Sequence, residues 1–478
     1  MSEEQVPSGI PAEDWAATPK SVRQVVLALF QMNEQLRERV ATLEERLNQN
    51  SHNSSKPPSS DEPGGSVGLL RPSSGRQRGG QPGHPGRNRL LKASAAVDRI
   101  VDVRPTSCGE CGALLMGDDP CAQRRQVSDV PRIEPEVTEY RRHALRCLAC
   151  GAVTRAEWPE GMPSGSFGPR VEAVVGYLSG RMNLSQRDIA EGMEALYHVE
   201  MALGSVSRLE AAVSQALEQP VEAAQTYIQQ QPEVKVDETG WREQTKRAWL
   251  WVGATPLVAV FVVLKTRGSQ GVRTLLGDVF ASIVGSDRWS AYNWLDPQRR
   301  QLCWAHLIRD FQKLVDRGGA SAIIGQALLT QAHALFRLWH RVRDGTLPRP
   351  DFVVEARSIR TEVHHLLTQG AELSHPQTQK TCCNLLKLEI ALWTFVTVEG
   401  IEPTNNLAER CLRRAVLWRR RSFGTQSTHG ALFVARILTT VTTLRLQERD
   451  VLDFLTHACA AANRQQKPPS LLPIHPTT

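Results

Sequence analysis

No apolar run in the 478-residue chain reaches the roughly 18 residues that a membrane-spanning helix needs. The acidic opening MSEEQVPSG lacks the basic and apolar regions of a secretory signal, so the expectation is a cytoplasmic protein without membrane contact. Apolar residues nearly vanish between Ser51 and about Leu91, where the chain reads SHNSSKPPSSDEPGGS and then RPSSGRQRGGQPGHPGRNR. Such a composition cannot bury enough surface to offset the entropy of ordering. Acidic residues are missing from its second half, around Arg71, Arg76, Arg78, Arg87 and Arg89, and again from the whole stretch Arg410–Gln447, which holds eight arginines. The formal net charge is +7, and a basic excess of this kind favours an anionic partner without bearing on fold.

Ten cysteines are present, but four of them form the pairs Cys108-Gly-Glu-Cys111-Gly and Cys147-Leu-Ala-Cys150-Gly. Each CxxC offers two thiolates to one ion, and the following glycine permits the positive φ that such knuckles use. Thirty-five residues separate the pairs, and the strand-like VTEYRRHALRC precedes the second. One structural Zn²⁺ in a zinc ribbon is the expectation, since four thiolates leave no open position for chemistry. The competing reading, two redox motifs, lacks a thioredoxin-like context. Cys121 is left over.

Residues 21–50 carry heptads, with Val22, Leu29, Leu36 and Leu43 on one seam position and Val26, Asn33, Val40 and Leu47 on the other. Arg39 and Glu44 flank the seam, and an asparagine at an a position commonly sets a two-stranded register. A homodimer or higher oligomer follows if this is a coiled coil; an amphipathic helix packed on its own domain gives the same pattern. Over 165–230 the chain reads as successive helices, with Ser185 and Ser205 as candidate N-caps. The break before GSVSR suggests a helix-turn-helix that would bring Ser205, Ser207 and Arg208 to a DNA groove, although a helical hairpin fits as well.

VKVDETG at Val234–Gly240 then opens a run of sheet-like segments, RAWLWVGATPL, VAVFVVLKT and SIVGSDRWSAY. QLCWAHLIRDF reads as a further strand, about 80 residues of helical pattern follow, and EPTNNLAERCLRRAV reads as a helix from about Thr404. Three acids stand out: Asp237 or its neighbour Glu238, Asp287 at a strand end, and Glu409 on that helix. Carboxylates drawn from two strands and a helix suit hard divalent cations, which in pairs can clamp the oxygens of a phosphoryl transfer. Asn406 and Arg413 lie one turn to either side of Glu409. In the acid-free stretch, Trp418 and Phe423 interleave with Arg419, Arg420 and Arg421, a combination able to hold phosphates and stack on bases. A solvated basic helix is the other reading. Ser427 sits in a loop flanked by Gly424 and Gly430. His364 and His365 read as surface residues.

VDET, SDRWSAY, CWAHLIRDF and TNNLAERCLR with WRRRSFGTQSTHG resemble the motifs of transposases of the insertion-sequence-sixty-six family, TnpC-type DDE enzymes. NSSKPPSSD, GGQPGHPG and the paired CxxCG motifs extend the resemblance over nearly the whole chain. It implies a bacterial, DNA-associated enzyme with a ribonuclease-H-like core, and a triad of Asp237, Asp287 and Glu409 holding two Mg²⁺ or Mn²⁺. It selects Asp237 over Glu238, marks His306 as an outer-shell or DNA-contacting group, and implies accessory proteins encoded beside the gene; Arg410, on the Glu409 helix, is a further candidate for the second shell or for DNA. A hydrogen-bonded structural histidine is the other reading of His306. The expected fold is multidomain α+β/α/β: a tail (1–20), coiled coil (21–50), basic linker (51–93), zinc-binding domain (94–160), helical DNA-binding domain (165–230), core first part (231–316), helical insertion (317–396), core second part (397–446), and a C-terminal helix and tail (447–478). The partner is double-stranded DNA, as element ends and target. The competing function is a zinc-containing DNA-binding regulator, or a decayed transposase that binds ends without cutting.

Overall fold

A computed structural model describes residues 10–47, 49, 53, 90–163 and 165–473. Most of the basic linker, with Arg71, Arg76, Arg78, Arg87 and Arg89, lies outside the described residues.

Two helices open the chain, α1 (Ala12–Ala17) and α2 (Lys20–Leu47). The second is a 28-residue helix whose seam side chains Val22, Leu29, Leu36 and Leu43 are about half exposed. A short antiparallel pair, β1 (Ala144–Arg146) and β2 (Val153–Arg155), follows. The strand-like stretch before Cys147 is thus ordered as β-structure only over its last residues.

Four helices come next: α3 (Pro169–Gly180), α4 (Gln186–Tyr197), α5 (Leu203–Ala216) and α6 (Glu218–Gln229). Ser185 caps α4 in a reciprocal box with Asp188, which satisfies two otherwise orphaned amides. Ser205 does not cap α5. The helix begins two residues earlier with Ala202 as its N-cap, because Leu203 and Val206 continue the apolar period, and Ser205 lies in the first turn where it accepts a hydrogen bond from Arg208.

The sheet has five strands: β3 (Glu233–Glu243), β4 (Lys246–Ala254), β5 (Ala259–Leu264), β6 (Ile283–Ser286) and β7 (Arg300–Leu302). Their order is β5-β4-β3-β6-β7. The first three form an antiparallel meander, and β6 and β7 run parallel to β3. Between β5 and β6 lies α7 (Ser269–Leu276), where Gly271 sits against Trp251; a Cβ there would fall 2.1 Å from the indole.

QLCWAHLIRDF is not a strand beyond Leu302. It turns at Cys303 into α8 (Trp304–Asp316), because Trp304, Leu307, Phe311 and Leu314 recur at helical spacing and are all buried. SIVGSDRWSAY likewise leaves the sheet after Ser286 and forms a short 3₁₀ turn at Ser290–Tyr292. Helices α9 (Gly319–Arg343), α10 (Arg349–Glu372), α11 (Pro376–Lys387) and α12 (Thr394–Thr397) share a second apolar core with α8. His364 there is not unpaired, since Nδ1 lies 2.8 Å from Glu389 Oε2.

The chain then returns to the sheet through α13 (Asn406–Ser422), α14 (Thr428–Leu446) and α15 (Val451–Asn463). On α14, the Thr439 and Thr443 hydroxyls accept from the amides of Phe261 and Ala259 on β5. These bonds dock a helix on a strand whose polar groups would otherwise be buried unpaired. The molecule is a mixed helix-and-sheet protein. No helix among the described residues is long and apolar enough to cross a membrane.

Candidate active site

Successive side chains of a strand point to opposite faces, and that alternation separates Asp237 from Glu238. Glu238 faces the α7 side. Its Oε1 accepts from Arg267 Nε at 2.8 Å and its Oε2 from the Tyr292 hydroxyl at 3.0 Å. Both oxygens are therefore engaged, and the side chain is 1% exposed. Asp237 shares the opposite face with Thr239, whose hydroxyl bonds Arg419 of α13. Its one hydrogen bond within the described protein is from the Glu238 amide, at 2.9 Å onto Oδ1.

Burial first, then the negative charges of Glu238, Asp287 and Glu409, hold the Asp237 carboxyl well above the usual carboxylate range. The same order of causes, burial and then Asp287, raises Glu238, with Arg267 opposing. Glu238, Asp287 and Glu409 thus all act on Asp237, while Arg267 is spent on Glu238.

Asp287 follows directly from β6, the parallel neighbour of β3, and its Oδ1 accepts from the Trp289 amide at 2.8 Å. Its carbonyl is held by Arg300, a fully buried guanidinium whose pKa burial pushes down to about 10. Glu409 is carried by the first turn of α13. That turn is pinned beside Asp237 by Asn405, which donates to the Val236 carbonyl at 2.8 Å and, from its backbone amide, to Cys303 Sγ.

His306 Nδ1 stands 3.5 Å from Glu409 Oε1, and Arg309 Nη2 3.8 Å. His306 Nδ1 and Glu409 Oε1 are both buried and without a hydrogen-bond partner. Burial, and then the charge of Arg309, push the His306 pKa down, with Glu409 and Asp287 opposing. Among the described residues the ligand atoms of Cys303, His306 and Glu409 lie within 4.8 Å of one another. The donor atoms of Asp237, Asp287 and Glu409 do not all fall within 4.8 Å of one another among the described residues, but all three are hard oxygen donors of the type Mg²⁺ or Mn²⁺ takes, and Asp287 and Glu409 both act on the Asp237 carboxyl.

The basic helix divides by burial. Arg410, Arg413 and Asn406 are exposed. Arg419 is half-buried and donates to the Gly240 carbonyl. Arg421 reaches the Asn183 carbonyl, and Arg420 is exposed. Trp418 is not available for stacking on bases: it is 7% exposed and packs edge-on against Phe433. Phe423, by contrast, is 75% exposed. Ser427 caps α14 by accepting from the Gly430 amide. Ser207 and Arg208 lie exposed on α5 and Ser205 is half-buried there, all three away from the acids in sequence and element.

Reading by residue type missed Arg267, Tyr292, Arg300 and Arg309. The signal for Arg267 was present as the tryptophans of two flanking segments, since it stacks on Trp249 at 4.7 Å and on Trp289 at 3.9 Å. The others are placed only by the fold.

The two knuckles are built alike. Cys108 and Cys147 donate their amides to the carbonyls of Ala113 and Ala152, and Gly112 and Gly151 adopt φ of 74° and 72°. Hydrogen bonds from the amides of Cys111 and Cys150 lead the causes that lower the Cys108 and Cys147 thiol pKa values. Thiolates are the zinc-binding form, so each pair fits half of a tetrahedral site. Cys121 is exposed.

Two proteins of Sinorhizobium fredii are similar to the chain. "Uncharacterized protein y4qI" is 26% identical over 240 residues, covering 45% of this chain and 43% of that protein. "Uncharacterized protein y4hP" is 22% identical over 404 residues, covering 76% and 72%. The chain thus spans less than half the length of the first relative and about three quarters of the second. Residues 13–90 match a family of unknown function (DUF6444), and residues 105–151, which contain both CxxC knuckles, match the zinc-finger binding domain of transposase IS66. Residues 165–432, more than half of the chain and all of the acidic cluster, match the family described as Transposase IS66 family, and the chain belongs to that family.

Proposed function

We propose that the chain is a DNA transposase whose Asp237, Asp287 and Glu409 hold two divalent cations for cleavage at the element's ends and strand transfer into target DNA. The observation that carries this reading is that a buried carboxylate on the central strand is acted on by the charges of Asp287, at the end of its parallel neighbour, and Glu409, on a returning helix. The order β5-β4-β3-β6-β7, with three antiparallel strands and two parallel ones, supports a ribonuclease-H-like core interrupted by the helices between β7 and α13.

Mg²⁺ or Mn²⁺ bound there would supply charge neutralisation at the reacting phosphate and lower the pKa of bound water. The chain's own groups do the rest. Glu238 fixes Arg267 and Tyr292 rather than a ligand, which keeps the β3 backbone and the Asp287 turn in register. Arg300 grips the Asp287 carbonyl. His306 and Arg309 set where the Glu409 carboxylate rests. Preorganised donors of this kind contribute by positioning groups without reorganisation during the reaction. The zinc knuckles, α4 with α5, and the exposed arginines of α13 are the surfaces for double-stranded DNA, and the exposed α2 seam is the surface for a second copy of the chain. Accessory proteins belong to this reading as partners.

The test is a cleavage and strand-transfer assay on a duplex carrying the element's own ends with Mg²⁺ or Mn²⁺, comparing the native chain with Glu409→Gln and supplying the accessory proteins. Nicking and joining that vanish in the variant support the triad. End binding without chemistry in both proteins overturns it in favour of a DNA-binding regulator.

A further inference from the structure

The β3–β4 hairpin and α13 enclose a cleft of about 640 Å³ lined by Arg242, Arg247, Arg419, Trp249, Thr245 and the backbone of Gly240. No acidic side chain lines it. Gly240 makes the close approach possible, since a Cβ there would lie 3.3 Å from Arg419 Nη1 and 3.9 Å from the Trp249 ring. From Trp249 a stack of Arg267 and Trp289 leads to Asp287. Gly240 is three residues from Asp237 on one strand, or about 10 Å at the usual rise of ~3.3 Å per residue.

The loop after α13 does not line the cleft but is fixed to the hairpin that does. Gln244 donates its amide to the Thr425 carbonyl at 2.7 Å and Thr425 to the Arg242 carbonyl at 2.9 Å. At its start Phe423 holds φ of 59°, a region a bulky side chain rarely visits, while its ring is three-quarters exposed. No burial of that ring offsets the backbone strain. Strain held at an exposed aromatic beside a basic cleft points to use on a ligand.

We propose that the cleft receives one unpaired nucleotide of the element's end, swung out of the duplex near the scissile phosphate, with Phe423 filling the gap left in the stack. The exposed Arg242 and Arg247 guanidiniums match the flanking phosphates, Arg419 being held on the hairpin, and Trp249 offers the base a face. The volume suits a single nucleotide, within the range of small-ligand sites. An aromatic wedge lowers the cost of unstacking. The inference rests on the transposase reading of the acidic cluster.

The experiment uses the full chain and an end duplex carrying 2-aminopurine at successive positions around the cleavage point. Expected is a fluorescence rise at one position only, lost in Phe423→Ala and Arg247→Ala, with cleavage falling about 5- to 100-fold, the range for removing one base-stacking contact. A mismatch at that position restores cleavage by Phe423→Ala, because the unpairing cost is already met. Phe423→Asn, which tolerates the backbone conformation, loses the signal without lowering the melting temperature, so misfolding does not mimic the result. Uniformly quenched 2-aminopurine with normal duplex binding and cleavage overturns the pocket and leaves the transposase reading intact. With the accessory proteins supplied, failure to bind or cut the duplex at all overturns both.

Discussion

The adjacent acids Asp237 and Glu238 make a discriminating experiment possible, because the structure commits them to different partners. In the metal-free chain the Asp237 pKa is raised by burial and by its acidic neighbours. An aspartate whose folded pKa lies above the unfolded value of about 3.9 adds stability that is fully present below that pH and lost as pH rises through the folded value. Ionised Asp237 therefore opposes folding at neutral pH. Asp237→Asn raises the melting midpoint of the EDTA-treated chain at neutral pH, and its advantage over the native chain disappears toward about pH 4.

Added Mn²⁺ reverses the order. A ligand bound only by the folded state contributes about 2.7 kcal/mol at 100 times its dissociation constant. At roughly 2–4 °C per kcal/mol for a unit of 150–250 residues, the native chain gains about 5–10 °C, and Asp237→Asn gains much less. Glu238→Gln behaves the other way. The substitution disturbs the Arg267 and Tyr292 bonds rather than removing a ligand, so the manganese increment persists. Scanning fluorimetry of the three proteins with and without Mn²⁺ reads all of this. A manganese response kept by Asp237→Asn and lost by Glu238→Gln would refute the assignment of roles on β3.

Other perturbations follow from single contacts. Cys147→Ala removes a thiolate from the second knuckle, and zinc content by chelator colorimetry falls from about one ion per chain toward none, while circular dichroism of the sheet and helices is retained; unchanged zinc refutes the ribbon. Leu36→Lys places a charge on the exposed α2 seam and converts an oligomer to a monomer by light scattering, and an unchanged mass removes α2 as the interface. Gly424→Ala puts a Cβ 2.3 Å from the Arg242 carbonyl oxygen at φ of 121°. It costs about 1–3 kcal/mol of stability, read as a lower melting midpoint; no change would mean that the loop is not fixed to the hairpin. His306→Gln keeps a polar group beside Glu409 but not the imidazole, and cleavage falls about tenfold or more if His306 positions that carboxylate, with Mn²⁺ titration shifted to higher concentration.

How much of this was legible in advance depends on the range of the interaction. Apolar alternation and continuous runs located β3, β4 and β5, because those strands are long and their partners are sequence neighbours. Ser185 announced α4 because a capping box is a contact within four residues. Ser205 misled for the same reason: a serine before an apolar helix looks like a cap, yet Leu203 and Val206 pack and draw the helix start back to Ala202. QLCWAHLIRDF looked like one strand because β7 is only three residues long. Its period changes from strand to helix at Cys303, too abruptly for a pattern window to register.

The acids show where local reading stops and what replaces it. Type and spacing proposed Asp237 or Glu238, Asp287 and Glu409, but nothing local distinguishes two consecutive carboxylates on a strand. The distinction is made by Arg267 and Tyr292, which come from 29 and 54 residues away and occupy both oxygens of Glu238. The same long-range placement took Trp418 out of the proposed DNA surface, since Phe433 on the next helix packs against it, and left Phe423 exposed in a backbone conformation that no propensity favours. Two aromatics five residues apart in one basic run thus have opposite fates. Helical periodicity buries Trp418 with Ala408, Cys411, Leu412 and Ala415, and it ends one residue before Phe423. The cost of holding Phe423 there is therefore a property of the hairpin contact through Thr425 and Gly424, which fixes the loop to the β3–β4 hairpin as one surface.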